Sequence, residues 1–276
     1  MSLRSLDEHR TLVEGYLEAM ALPGELAEPM RYALEGGGKR LRPVLCLATG
    51  EAAGVDADEL LPAAAAIELV HSFSLVHDDL PALDDDDVRR GRASAHVQFG
   101  EAVAILAGDA LLAQALELAL SYRTPVVARE LVGATLGMIR GQYLDITDGE
   151  SELAGLHALK TGRLFGAAVG CALWVAEVPE TEQEPWRAFA REFGLLFQVV
   201  DDILDEDGLA AERGLDGARS LAVEAEDRAR STLAEIPADT SRLDELLSGL
   251  RRRLRRRSQD ERASPGRPSE MTGRSD

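Results

Sequence analysis

Apolar residues recur along most of the chain at intervals of three and four, the spacing of one face of an α-helix. Leu6, Leu12, Val13, Leu17 and Met20 mark a helix within the first thirty residues, and Pro23-Gly24 breaks it. A second helix runs to Leu34. The stretch Glu35 to Pro43 carries three consecutive glycines, which disfavour a helix interior, so it reads as a loop. Pro43 suits the first turn of the next helix, about Val44 to Ala53. Further helices are predicted at about Asp58–Asp79, His96–Phe99, Ala102–Leu120, Val126–Asp145, Glu150–Ala176 and Glu182–Asp205. Pro81 ends the first of these, because the residue before a proline avoids the α region. Asp84 to Gly91 reads as a charged loop. No stretch alternates β-branched residues and no repeat is visible, so the expected fold class is all-α, a single-domain helical bundle.

Composition sharpens this. Hydrophobic residues make up 45% of the 276 and aromatics 4%, with Ala and Leu dominant, which favours helix over sheet. The formal net charge of −19 argues against a nucleic-acid partner, which needs a basic face. Cys46 and Cys171 are isolated thiols without CxxC spacing, the pattern of a reduced, cytoplasmic setting without a zinc site. Charges interrupt the first twenty residues, so no signal peptide is expected. The apolar run Leu164–Ala176 is too short to span a bilayer, and no membrane span is expected.

The last part of the chain changes character. Leu250 to Arg257 reads Leu-Arg-Arg-Arg-Leu-Arg-Arg-Arg, and the residues after it are polar, with Pro, Ser and Gly. The division expected is a helical domain over residues 1–249 and a basic, disordered tail over 250–276. The arginine run is read as a solvated helix end leaning on an acidic body, with contact to a phosphate or an acidic partner as the alternative.

Two acidic clusters carry the candidate chemistry. The first is His77-Asp78-Asp79-Leu80-Pro81-Ala82-Leu83-Asp84. In a continuous helix Asp78 and Asp84 would face different ways, but Pro81 takes the chain out of the helix and lets Asp84 fold back. The second is Asp201-Asp202-Ile203-Leu204-Asp205, where Asp201 and Asp205 stand at i and i+4 on one face. Like charges at that spacing repel unless a cation sits between them. Mg²⁺ suits: it takes few carboxylates, keeps waters and accepts phosphate oxygens. Neither cluster has EF-hand spacing. In so acidic a chain each alone would pass for a solvated face, but both adjoin apolar stretches, Ile67–Val76 and Phe193–Val200.

Basic groups lie in segments suited to a diphosphate. Lys39, Arg40 and Arg42 follow the glycines, Arg89-Arg90 follow the first cluster, and Lys160-Thr161-Gly162-Arg163 mark another helix. Of 30 basic residues only Lys39 and Lys160 are lysines, and both fall in these segments. Glycine lets backbone N–H groups approach phosphate oxygens, and arginine binds them with a fork.

Gly36-Gly37-Gly38-Lys39-Arg40-Leu41-Arg42-Pro43, His71 seven residues before Asp78, DDxxxxD with Arg89-Arg90-Gly91, Lys160-Thr161-Gly162, and Phe197-Gln198-Val199-Val200-Asp201-Asp202-Ile203-Leu204-Asp205 together resemble the trans-isoprenyl diphosphate synthases. The likeness covers about residues 30–205 and is nearest to bacterial farnesyl diphosphate synthases, with their longer first motif. It implies an isoprenoid-synthase bundle around a central elongated cavity, and a homodimer. It implies Mg²⁺, three ions with substrate bound and Mn²⁺ as a substitute, held by Asp78 and Asp84 with Asp79 in support, and by Asp201, Asp202 and Asp205. Arg89 and Lys160 would clamp the allylic diphosphate. Gly38, Lys39, Arg42, His71 and Arg90 would receive isopentenyl diphosphate, and Thr161 and Gln198 would turn oxygen dipoles to the allylic cation. The implied reaction is head-to-tail condensation of isopentenyl diphosphate with dimethylallyl or geranyl diphosphate.

Phe73, five residues before Asp78, would floor the cavity at a C15 product, while Ser74 beside it leaves room for longer chains; Phe73 could equally be ordinary core. Geranylgeranyl or geranyl diphosphate is the alternative product, and a class I terpene cyclase or a non-catalytic partner subunit the alternative roles. One departure stands out. After the second motif such proteins carry a loop with further lysines, whereas Glu206 to Val223 is shorter and lysine-free.

Overall fold

The computed structural model describes residues 3–35, 38–147 and 162–263 and is helical almost throughout. Helix α1 (Leu6–Ala19) starts at a capping box: the Ser5 hydroxyl accepts from the Glu8 amide while the Glu8 carboxylate accepts from the Ser5 amide. It ends at Ala19, well inside the thirty residues first marked. Helices α2 (Ala27–Glu35) and α3 (Leu41–Ala52) flank the glycine loop. Helix α4 (Ala57–Asp78) is capped by Asp56, whose side chain accepts from the Asp58 amide. Its residues Ala63–Val70 are buried on every side, so α4 is the central helix of the bundle.

Beyond α4 the chain forms a two-residue antiparallel ribbon, β1 (Val88–Arg89) on β2 (Arg92–Ala93), in the stretch read as a loop. Arg90 and Gly91 both have positive φ at its turn, the conformation a tight hairpin needs. Helices α5 (Ala95–Phe99), α6 (Glu101–Leu120) and α7 (Val126–Thr147) follow, then α8 (Arg163–Val175) and α9 (Glu184–Asp205). Phe165, Phe189 and Phe193 are fully buried between α8 and α9. Boundaries agree with the expected helices to within a few residues where the structure describes them; the start expected at Glu150 lies outside the described residues.

Two expectations are corrected. The segment 206–223 is no long loop: after a short turn at Glu206–Asp207, α10 (Gly208–Ala234) begins and kinks at Gly214, whose φ of 73° no other residue adopts cheaply. The boundary at 249/250 falls inside helix α11 (Ser241–Ala263), so the arginine run is a helical part of the domain, as its reading as a helix end has it, and the helix runs on to Ala263. Leu250 on α11 is buried in the core, and Arg251 pairs with Glu226 of α10 at 3.3 Å.

Helices α4 and α6 are each long and apolar enough to cross a membrane by length and composition alone. For α4 the burial explains this, since the helix lies in the core. Helix α6 leaves Ile105 and Leu106 exposed.

Candidate active site

The ends of α4 and α9, the start of α3 and the C-terminal half of α7 surround a cavity of about 770 Å³. Gly38, Lys39, Arg42, His71, Phe73, Ser74, Asp78, Arg89, Arg90, Gln198 and Asp201 line it. Eleven residues expected at the site from scattered segments therefore meet at one hollow. Lys160 and Thr161 lie outside the described residues.

At the first cluster α4 stops at Asp78, and the chain turns back as the break at Pro81 requires. The Asp84 amide donates to the Asp78 carbonyl at 2.9 Å and the Asp86 amide to the Asp79 carbonyl at 3.2 Å. Asp84 is exposed on this loop, beside the end of α4. Asp79 points the other way. It is buried and accepts from Arg89 Nε at 2.8 Å and from Arg89 Nη2, which also reaches Asp86 at 2.7 Å. The hydrogen bond to Asp79 raises the Arg89 pKa above its ordinary value, against the opposing effect of burial. Asp79 thus aims Arg89 and does not stand at the cavity wall, so the support it gives the first cluster runs through Arg89.

The second cluster repeats the division. Asp201 lines the cavity, and its carboxyl is pushed up chiefly by burial, opposed by Arg253, whose Nη2 donates to its Oδ1 at 3.2 Å. The Asp205 charge one turn away also pushes it up, the repulsion expected at that spacing. Asp202 is buried and accepts from Gln198 Nε2 at 2.6 Å and from the Leu209 amide at 2.9 Å, where it caps the first turn of α10. Its carboxylate is therefore used within the fold rather than turned to the cavity, unlike the ligand role implied for it. Asp205 is exposed at the helix end.

Basic side chains form the facing wall. Arg40 starts α3 with a left-handed φ of 46° and turns its guanidinium inward, donating to Glu68 at 2.6 Å and to the Leu34 carbonyl. That buried pair holds the loop so that Lys39 and Arg42, on either side, meet the cavity. Arg42 lies over the Phe165 ring at 4.6 Å, and no described group satisfies its Nε. Burial pulls its pKa down to about 10, still charged at neutral pH. His71 stands 3.4 Å from Arg42 Nη1, and burial followed by the surrounding arginines holds it well below its usual value, hence neutral. Lys39 is lowered by desolvation and then by Arg253. Gly38 sits against the Arg90 guanidinium, where an added Cβ would come within 3.1 Å of Nη1.

The hollow becomes apolar away from this mouth. Phe73 packs its edge on His77, and Met138, Ile139, Tyr143 and Ile146 of α7 form the far wall. None of the α7 residues was singled out from sequence, because their apolar spacing is that of any core helix. Glu68 and Arg253 were missed as well. The arginine run was the available signal for Arg253, since Leu250 and Leu254 mark one face of that helix.

The donor set fits a hard cation. Asp78, Asp84, Asp201 and Asp205 offer carboxylate oxygens alone, and among the described residues no three His, Cys, Asp or Glu side chains form a ready-made metal cage. A site with few protein ligands that leaves positions for phosphate oxygens is one Mg²⁺ favours.

Residues 23–216 match the family model described as polyprenyl synthetase. The farnesyl diphosphate synthase of Bacillus subtilis (strain 168) is 40% identical over 209 residues, 70% of this chain and 70% of that protein. The geranylgeranyl diphosphate synthase of Cyanophora paradoxa is 39% identical over 221 residues, 74% of each. Among solved structures, a geranyltransferase from Legionella pneumophila matches with a TM-score of 0.82 at 34% identity, covering 90% of this chain and 96% of that one.

Proposed function

Because the chain belongs to the polyprenyl synthetase family of prenyltransferases, we propose that it condenses isopentenyl diphosphate head-to-tail with dimethylallyl and then geranyl diphosphate, in the presence of Mg²⁺, to make the C15 product farnesyl diphosphate. One observation carries this reading: a single hollow is lined together by Asp78 and Asp201, by Lys39, Arg42 and Arg90, and by the apolar side chains Phe73, Leu164, Met138 and Ile139.

Asp78 and Asp84, and Asp201 with Asp205, are the residues to hold Mg²⁺; when bound it offsets the charge that builds on a departing diphosphate. Arg89, aimed by Asp79, and Lys160 bind the allylic diphosphate. Lys39, Arg42, His71 and Arg90, with the Gly38 backbone, bind isopentenyl diphosphate, and the unpartnered Arg42 Nε suits an anionic ligand. His71 stays neutral, so it donates a hydrogen bond without adding charge. Gln198 gives its amide N–H to Asp202, which leaves its oxygen, with that of Thr161, as the dipole end for the allylic cation. The apolar interior keeps water from that cation until the double bond of isopentenyl diphosphate attacks. The proton then lost goes to the released diphosphate.

A homodimer accords with the exposed apolar side chains Val132 and Leu136 of α7 and Ile105 and Leu106 of α6, none of which lines the cavity. A cytoplasmic setting accords with two buried free thiols. The test is incubation with isopentenyl diphosphate, Mg²⁺ and each of the C5, C10 and C15 allylic diphosphates. C15 from the first two is expected. Hydrocarbon released from farnesyl diphosphate without isopentenyl diphosphate would favour a cyclase, and diphosphate binding without turnover a non-catalytic subunit.

A further inference from the structure

Phe73 and His77 stand one turn apart on the cavity face of α4, and both line the hollow. Their rings meet edge to face, with centroids 5.0 Å apart and planes at 75°. His77 is fixed from outside its own helix. Its Nε2 donates to the Ile105 carbonyl of α6 at 3.1 Å, with Asp109 Oδ1 farther off at 3.9 Å. The ring occupies a slot that exists because residue 108 is glycine. A Cβ there would lie 2.2 Å from His77 Nε2 and 2.4 Å from its Cδ2. Neither helix backbone can absorb such an overlap, so any side chain at 108 expels the imidazole.

We propose that His77, seated against Gly108, is a positioning residue for product length: it clamps the Phe73 ring in place as the floor of the chain-receiving cavity. Phe73 has an open hollow on one side. Without the histidine beside it the Phe73 ring loses this contact and can turn toward the space the imidazole filled against α6, deepening the cavity. The sequence marks Phe73 by its distance from Asp78 but contains no hint of the clamp, because Gly108 is thirty-one residues beyond His77. The inference rests on the condensation reading and adds a cause for its stopping point.

The experiment compares product length in the wild type, His77→Ala, Gly108→Ala and the double variant, with Mg²⁺, isopentenyl diphosphate and dimethylallyl diphosphate, so that C10, C15 and C20 can all be read. His77→Ala is expected to raise the C20-to-C15 ratio roughly tenfold, the scale on which a change of fit in an apolar pocket discriminates. Gly108→Ala is expected to turn the imidazole into the hollow and shorten the product toward C10. The double variant should match His77→Ala, since the glycine acts only through the histidine. Tail-length preference is read independently of turnover, by competitive binding of farnesyl and geranylgeranyl diphosphates, and His77→Ala should gain affinity for the longer one. Unchanged ratios together with unchanged tail preference overturn the proposal. So does a Gly108→Ala effect that persists undiminished when His77 is also removed. No condensation by the wild type would instead defeat the underlying reading.

Discussion

Asp78-Asp79 at the end of α4 and Asp201-Asp202 near the end of α9 share one arrangement and differ in another. In each pair the first aspartate lines the cavity and the second is buried in the fold. Asp79 orients Arg89, while Asp202 orients Gln198 and caps α10. The two pairs differ in the path of the backbone beyond them. After Asp79 the chain leaves the helix and brings Asp84 back through a backbone hydrogen bond; after Asp202 it continues helically, so that Asp205 returns one turn later on the same face. Two backbone routes thus bring a second, exposed aspartate back beside the cavity-lining one. In both DD dipeptides here, one carboxylate faces the cavity and the other braces the fold.

The largest effect should separate these roles. Asp78→Ala and Asp201→Ala are each expected to lower kcat roughly 10³-fold, as loss of a group that stabilises developing charge does. Their melting temperatures should stay near the wild type, because each removes a carboxylate from a cavity wall. Asp202→Ala should show the opposite balance, a stability loss of about 2 kcal/mol from an emptied cap and a broken charged hydrogen bond, read by denaturant unfolding. Equal stability losses in the Asp201 and Asp202 variants would erase the distinction.

A smaller effect is expected at the floor. Phe73→Ala should retain condensation and shift product toward C20, measured by chain-length analysis of the products. The smallest concerns pH. The folded chain keeps His71 neutral well below its ordinary value, whereas the unfolded chain protonates it near pH 6.5. The unfolded state then binds more protons, so stability falls as pH drops below about 6.5. His9, held low by burial, acts in the same direction. His71→Gln should make the decline of melting temperature with acid shallower; an unaltered slope would mean that His71 is accessible to protons in the fold.

Much of this was legible in the sequence where the cause is local. Pro81 foretells the fold-back of Asp84, the three glycines foretell the loop at Lys39, and the spacing of His71 and Asp78 places both on the cavity face. The features that stayed hidden depend on pairing across distance. The Arg40–Glu68 pair spans 28 residues and Arg253–Asp201 spans 52, and neither partner carries a local sign of the other. The stretch 206–223 misled for another reason. The resemblance led to a loop there, yet Asp202 caps a helix, and after the turn at Glu206–Gly208 only Gly214 departs from helical geometry. The arginine run was legible as a helix end leaning on acidic groups, but nothing local showed that Leu250 anchors it in the core.

The most direct test of the division between ligand and brace is calorimetric titration of inorganic pyrophosphate in the presence and absence of Mg²⁺, using the wild type, Asp78→Ala, Asp201→Ala and Asp79→Asn. The account predicts binding that requires Mg²⁺, is lost when the first aspartate of either pair is removed, and survives in Asp79→Asn. Binding that ignores Mg²⁺, or that persists in both alanine variants, would contradict it.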